Sequence, residues 1–349
     1  MRIIIFFNLI LKNFCTIVKL ILSFYPSLFA IIIRFIIKLE ITIQHQKIIY
    51  DFNYKPFIMV KLDKDEFNEI IFTRINNLIS DYNLIKENEL IAVALSGGKD
   101  SVLTLHALKR YQDVLDFDLV AISVDEGIKG YRSHGIDAAI NNAKDLGIDL
   151  IQKSFLEEEG FALDDIYSNF KSACIPCGVF RRNILNKTAY EVSADKIATG
   201  HNLDDEIQSF LMSFARGDTI KFSKFGPELD VIHPKLVPRI KPLWNTPEKE
   251  VGLWTVLNDI DIHLEECPYS HLSLRAKIKE FLNNNEDVYP GLKNNIMKSF
   301  QKILTFENDI STTLNECELC GEPTSSNICK ACEIKQLVSK DCESHVCDE

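Results

Sequence analysis

Residues 94–108 read ALSGGKDSVLTLHAL: two small apolar positions, then Ser96, Gly97 and Gly98, one lysine, Asp100 and Ser101, and an apolar run at helical spacing. The segment that leads in, 90–95, is a short continuous apolar stretch of the kind a buried strand shows. A strand that turns through two glycines into a helix presents backbone N–H groups with no Cβ in a phosphate's way. The helix N-terminus adds partial positive charge. A Walker A loop is excluded, because it needs a glycine five residues before its Gly-Lys and a Ser or Thr after the lysine. Those places hold Val93 and Asp100. A plain strand-to-helix turn capped by Asp or Ser is the alternative reading.

Outward from this loop, short apolar strands alternate with amphipathic helices, which predicts a parallel sheet covered on both faces. Strands are expected over 90–95, 119–124, 149–154 and 195–199, and helices over 101–111, 133–147, 178–194 and 203–215. Ligands bind such sheets beyond the carboxyl ends of the strands. SGGKDS (96–101), VDEG (124–127) and TGHNLDDE (199–206) all fall there. Beyond Gly217 a proline-interrupted region leads to helical patterns over 247–258, 271–283 and 291–305. Before the sheet, Phe67, Ile70, Ile71, Ile75, Leu78 and Ile79 fall on one face of a predicted helix.

The chain has 349 residues, 46% hydrophobic and 26% charged, with a formal net charge of -11. That length supports one large or two ordinary domains, and that charge opposes general nucleic-acid affinity. Any RNA contact must rest on a local patch. One candidate is 166–190, which contains Lys171, Arg181, Arg182 and Lys187 and no acidic residue; a solvated helix face is the plainer reading. At the N-terminus, 3–37 is very rich in Ile, Leu and Phe but is cut by Lys12, Lys19 and Arg34. Its longest uncharged run, 20–33, has 14 residues and contains Pro26, whereas crossing a bilayer takes ~20 apolar residues. A membrane anchor and a buried hairpin are two readings of 1–58. The expectation is the third, sequence that does not belong to the functional protein, with the helix-periodic pattern opening at Met59.

Six of the ten cysteines form three C-x2-C pairs, a pattern of metal ligation in a reducing compartment. Cys174 and Cys177 lie in ACIPCGVFRR (173–182), and Cys267 lies in EECPYS (265–270). No second C-x2-C sits near them to complete a zinc set, and three thiolates suffice for a 4Fe-4S cluster with one open iron. Cys317, Cys320, Cys329 and Cys332 are spaced C-x2-C-x8-C-x2-C, which suits a closed, structural Zn2+ site.

SGGKDS after its strand resembles the PP-loop of the N-type ATP pyrophosphatases, which cleave ATP between the α and β phosphates and adenylate an acceptor. SGGKDS, CIPCGVFRR, GHNLDDE and CPYS, in that order, resemble the tRNA 2-thiolation (two-thiouridine synthetase) branch of that superfamily. The resemblance covers roughly 63–334. It implies an α/β fold, a doubly wound HUP-like parallel sheet with C-terminal helices and a small zinc ribbon. The domains expected are an apolar segment (1–58), an N-terminal helix (59–88), an ATP-binding domain (89–220), the rest of the catalytic part (221–310), the ribbon (311–336) and a tail (337–349). It further implies that Ala94, Leu95, Ser96, Gly97, Gly98, Asp100, Ser101, Val124, Gly200 and Asp205 hold ATP with Mg2+. Gly200 would serve close approach of the nucleotide. Asp205, Arg181 and Asp100 would be catalytic, and Cys174, Cys177 and Cys267 would hold the cluster.

The reaction implied is adenylation of a tRNA uridine 2-oxygen, a wobble uridine by expectation, and replacement of AMP by sulfur. A ubiquitin-like thiocarboxylate protein would be the sulfur donor, and the enzyme would be a cytoplasmic homodimer with no membrane contact. Two features depart from the family: Arg181 stands where members commonly have lysine, and 1–58 offers only Cys15 and His45 for an N-terminal zinc ribbon. Two other readings are a tRNA 2-thiocytidine synthetase, which generally lacks zinc ribbons, and an inactive membrane-associated nucleotide-binding protein.

Overall fold

The computed structural model describes residues 63–218, 225–229, 233–270, 273–304 and 314–344. The apolar segment 1–58, with Cys15 and His45, lies outside the described residues, as does the end of the tail. Among the described residues no helix is long and apolar enough to cross a membrane.

Strand β1 (Leu90–Ala94) runs parallel to β2 (Asp118–Asp125) on one side and to β4 (Lys196–Ala198) on the other. With β3 (Leu150–Ser154) and β5 (Arg239–Ile240) the sheet has the order β3-β2-β1-β4-β5, all parallel. The chain therefore winds outward from β1 in one direction and, after β4, in the other. The order reverses between β1 and β4, where a crevice opens at the strands' carboxyl ends. Side chains alternate across the sheet. Ile91, Val93 and Ala121 enter the larger core, and Ala92, Val120 and Ile122 enter the opposite one with Ala189 and Ile197. Burial on both faces explains why these strands read as unbroken apolar runs.

The helices cover both faces. Helix α1 (Lys64–Asp81) is followed by α2 (Lys99–Tyr111), α3 (Arg132–Asp145), the short α4 (Phe155–Glu159) and α5 (Leu163–Ile166), and α6 (Cys174–Glu191). Then come α7 (Leu203–Arg216), α8 (Glu248–Asn258), α9 (Leu274–Val288) and α10 (Leu292–Leu304). In α1 the buried face is Phe67, Ile71, Phe72, Ile75, Leu78 and Ile79, whereas Ile70 is 49% exposed. At about 100° per residue, position 70 falls about 60° outside that arc and Phe72 closes its other edge. The strand β5 was not predicted. Its two residues lie between Pro238 and Pro242, too short a run to carry a period.

The terminal module is a β6 (Asn315–Glu316) and β7 (Pro323–Thr324) hairpin followed by α11 (Lys330–Ser344). This helix runs straight through the expected boundary between ribbon and tail. The module is not a detached piece. Cys317, Cys329, Ala331 and Ile334 are buried in one cluster with Phe155, Phe180 and Ile184, Lys335 pairs with Glu159, and Lys235 reaches both Gly321 O and Glu316 at 2.9 Å.

Candidate functional site

The glycine loop leaves β1 at the crevice. Leu95 N–H donates to Ile122 O, which carries the strand one residue past Ala94. Gly97 has φ +81°, and a Cβ there would stand 1.9 Å from Gly135 O, so only glycine fits. The Ser101 hydroxyl closes the turn: it accepts from Ser96 N–H at 3.1 Å and donates to Gly98 O at 2.9 Å. Helix α2 then starts at Lys99 with Gly98 as its N-cap and no side-chain cap. Asp100 and Ser101 do not cap it, contrary to the plain-turn reading. Among the described residues no side chain caps this helix start, and an uncapped, positive helix end is the arrangement that receives an anion. Behind the loop, His263 N–H donates to Gly97 O at 2.8 Å, four residues before Cys267.

The lysine of SGGKDS does not reach outward like a phosphate-binding lysine. Lys99 lies 2.9 Å from Asp100 and 2.9 Å from Glu248; burial alone would lower its pKa, and these two carboxylates raise it above the usual range. Asp100 also accepts from Asn202 Nδ2 at 2.8 Å, which ties the loop to the start of α7. There Asn202 and Asp205 form a capping box: Asp205 N–H donates to Asn202 Oδ1 at 3.0 Å, and Asn202 N–H to Asp205 Oδ2 at 3.4 Å. Asn202 thus caps α7. Yet Asp205 also turns Oδ1 toward Arg275 at 3.2 Å, and its side chain keeps 31% exposure. Crowding by protein pushes its pKa up to about 6, with Arg275 opposing and Asp100 adding to the rise. Asp204 is buried, accepting from Glu248 N–H at 2.8 Å and pairing with Lys293.

Gly200 packs directly against the glycine loop. A Cβ on it would lie 2.8 Å from Asp100 C and Ser101 N. Its bareness lets β4's exit touch the glycine loop. Val124 is likewise inside the wall of the site, 4% exposed, with its carbonyl accepting from Arg132 Nε at 3.0 Å.

Arg132 is the largest omission of the sequence reading. It is buried, and donates to Ser96 O at 2.6 Å, Val124 O at 3.0 Å and Ser123 Oγ at 3.1 Å while facing Glu126 at 2.9 Å. Glu126 in turn meets Arg181 at 3.3 Å. The glycine loop, the end of β2 and the cysteine rim are therefore joined by two guanidiniums and one carboxylate.

Cys174 and Cys177 occupy the first turn of α6, which starts four residues earlier than predicted. Cys177, Cys267, Tyr131 and Tyr269 all pack against one buried cluster, and Tyr269 anchors its segment by donating to Asp164 at 2.8 Å. Burial pushes the Cys177 thiol up to about 12 and raises that of Cys267, with Arg181 opposing both rises. Cys177 also feels the charge of Cys267 and Cys174, and Cys267 that of Cys174, so the three form one neighbourhood. Buried thiols held neutral are poor nucleophiles; a bound metal centre ionises them outright. The donor set fits a thiolate-ligated cluster better than a redox pair. Around His201 the rim is cationic. Surrounding protein lowers its pKa, and Lys241, Arg275, Arg181 and Arg239 add to the fall, although His201 itself is exposed. Of the predicted basic patch, Lys187 is drawn away to Glu158 at 2.9 Å. Arg239 and Arg275 were not foreseen.

In the terminal module the four sulfurs of Cys317, Cys320, Cys329 and Cys332 lie within 4.8 Å of one another. Cys320 and Cys329 are 3.6 Å apart, and Zn–S bonds of about 2.3 Å in a tetrahedron require about 3.8 Å. Gly321, with φ +71°, makes the knuckle turn, donating to Cys317 O at 2.8 Å. The Cys317 thiol is lowered to about 6, chiefly by the Cys329 N–H that donates to it at 3.2 Å.

A profile of the PP-loop domain matches residues 67–286. The tRNA 2-thiolation protein NcsA of Haloferax volcanii is 35% identical over 298 residues, covering 78% of this chain and 92% of its own. The cytoplasmic tRNA 2-thiolation protein 1 of Saccharomyces cerevisiae is 31% identical over 298 residues, with 82% and 83% covered. Among solved structures, the U34-tRNA thiolase NcsA of Methanococcus maripaludis with its 4Fe-4S cluster superposes with a TM-score of 0.70 at 34% identity, over 82% of this chain and 95% of that one. Loop, cysteine rim and overall likeness agree: the chain belongs to the tRNA 2-thiolation family of PP-loop proteins.

Proposed function

We propose that this chain is an ATP-dependent tRNA sulfurtransferase that adenylates the 2-oxygen of a uridine and replaces that oxygen with sulfur. The observation that carries the reading is the uncapped, glycine-lined start of α2 joined through Arg132 and Glu126 to a rim of three cysteines. ATP lies with its pyrophosphate end on the N–H groups that follow Gly98. Asp100 and Asp205 face the same place and retain free lone pairs, a hard oxygen set suited to Mg2+. The uridine 2-oxygen attacks the α phosphorus, the bond to the bridging oxygen breaks, and pyrophosphate leaves. Sulfur then attacks C2, and AMP departs with the original oxygen. Asp205, ionised above pH about 6, orients the reacting groups. Arg181, held by Glu126, offsets negative charge on the α phosphate.

A 4Fe-4S cluster fits Cys174, Cys177 and Cys267 with one iron left open, and when bound it supplies a place for sulfur. Zn2+ fits the four terminal cysteines with no open position, and so serves structure. The likeness to cytoplasmic relatives supports action in the cytoplasm. A thiocarboxylate donor and a homodimer are read from the family resemblance alone. The test is tRNA thiolation by purified protein supplied with ATP and a sulfur source. Product that forms equally well with Asp205→Ala or Cys174→Ala would overturn the reading.

A further inference from the structure

We propose that Arg182 and Arg239 form a phosphate clamp beside the cysteine rim, one that takes a backbone phosphate of the tRNA rather than a phosphate of ATP. The inference rests on the function proposed above and names residues for its RNA substrate. Arg182 lies within α6, and its guanidinium folds back over Gly178, with Nη1 3.0 Å from where a Cβ would stand. Gly178 directly follows Cys177, so this cation sits next to the cysteine pair. Arg239, on the edge strand β5, donates through Nη2 to the Arg182 carbonyl at 3.2 Å. Two arginines thus meet where the edge strand passes the helix.

Their neighbours are matched with carboxylates: Arg181 with Glu126, Lys187 with Glu158, Lys241 with Glu206 and Arg275 with Asp205. Among the described residues Arg182 and Arg239 form no ion pair, and the charges acting on Arg239 are the cations Arg182 and Arg181. Burial and then that repulsion lower Arg239 to about 10, still charged at neutral pH. In a chain with a net charge of -11, two adjacent cations left without acids call for an outside anion. The planar fork of arginine matches phosphate oxygens in pairs.

Position decides which phosphate. The glycine loop leaves β1, and β5 is two strands away across β4, a lateral offset of roughly 10 Å at ~4.8 Å per strand. The α2 N-terminus serves the nucleotide. A base that reaches the cysteine rim brings its own flanking phosphates to the side where the clamp lies.

The experiment measures labelled tRNA binding to the full chain by fluorescence anisotropy across about 50 to 300 mM KCl, since phosphate contacts are read from the salt slope. ATP affinity and melting temperature are measured on the same preparations. Arg182→Ala and Arg239→Ala each weaken tRNA binding about 5- to 20-fold and flatten the slope of log K against log salt by roughly 0.7 to 0.9. ATP affinity stays within twofold. Arg182→Lys and Arg239→Lys keep the slope and lose affinity through the missing fork, which supplies the reading where an alanine variant fails to fold. Unchanged tRNA affinity and slope in variants that melt like the parent overturn the clamp. So does a loss of ATP affinity with tRNA binding intact. If the parent chain itself binds no tRNA, the proposed function falls and the clamp with it.

Discussion

Glu126 lies 2.9 Å from Arg132 and uses its other oxygen to hold Arg181 at 3.3 Å. Both Glu126 and Arg132 side chains are 6% exposed, whereas Arg181 is 48% exposed. The inner pair therefore carries the stability and the outer one the placement of Arg181. Glu126→Gln leaves a buried guanidinium without its counter-charge, at a cost of about 3 kcal/mol. A melting temperature lower by roughly 4 °C is expected for a chain of this size, measured by thermal unfolding; an unchanged melt would contradict the bridge.

Two glycine substitutions separate loop geometry from general fragility. Gly200→Ala drives a methyl into the Asp100 and Ser101 backbone, so it displaces the phosphate loop and weakens ATP binding by about tenfold or more, an effect of order 1.4 kcal/mol. Gly252→Ala, in α8 with nothing within 4 Å of the added Cβ, should stabilise by about 0.5 to 1 kcal/mol. Calorimetric ATP titration and thermal melts check the pair together. Equal ATP affinity in both variants would exclude the contact between Gly200 and the loop.

The acid limb of adenylation follows Asp205, whose carboxyl has a pKa of about 6. The working form is ionised, so the rate falls as pH drops through about 6 and levels off above it. Arg275 holds that value down; Arg275→Ala therefore shifts the limb to higher pH. Pyrophosphate release at saturating ATP and tRNA between about pH 5 and 8 gives the profile. A shift to lower pH in Arg275→Ala would contradict this electrostatic account.

Removal of the proposed terminal zinc is expected to reach beyond the terminal module. Cys317 and Cys329 belong to the cluster that contains Phe180 and Ile184 of α6, the helix that starts with Cys174 and Cys177. A zinc chelator, or Cys320→Ser, is expected to lower the melting temperature and to reduce iron retained after anaerobic reconstitution, as read by elemental analysis. Full iron retention in a zinc-free chain would show that the module and the rim are independent.

The sheet and its loop were legible because β1, β2 and β4 are buried on both faces, and because two glycines between such a strand and a helix suit a phosphate cradle. Chemistry carried by local spacing was legible too, as with the four terminal cysteines. What stayed hidden depended on distance along the chain. Arg132 reads as an ordinary helix start, yet it tethers Ser96, 36 positions away. Nothing local marks Arg239, since β5 is two residues between prolines. Gly200 carries a signal as a glycine, but its partner is the loop itself, which only packing reveals.

In the function proposed here the phosphate loop and the cysteine rim make one active site for sulfur insertion into tRNA. Nucleoside mass spectrometry of tRNA after incubation with reconstituted protein, ATP and sulfide tests it most directly. The expected product is 2-thiouridine that requires ATP and is lost in Asp205→Ala and in Cys177→Ser. Equal 2-thiouridine without ATP, or in Cys177→Ser, would contradict it.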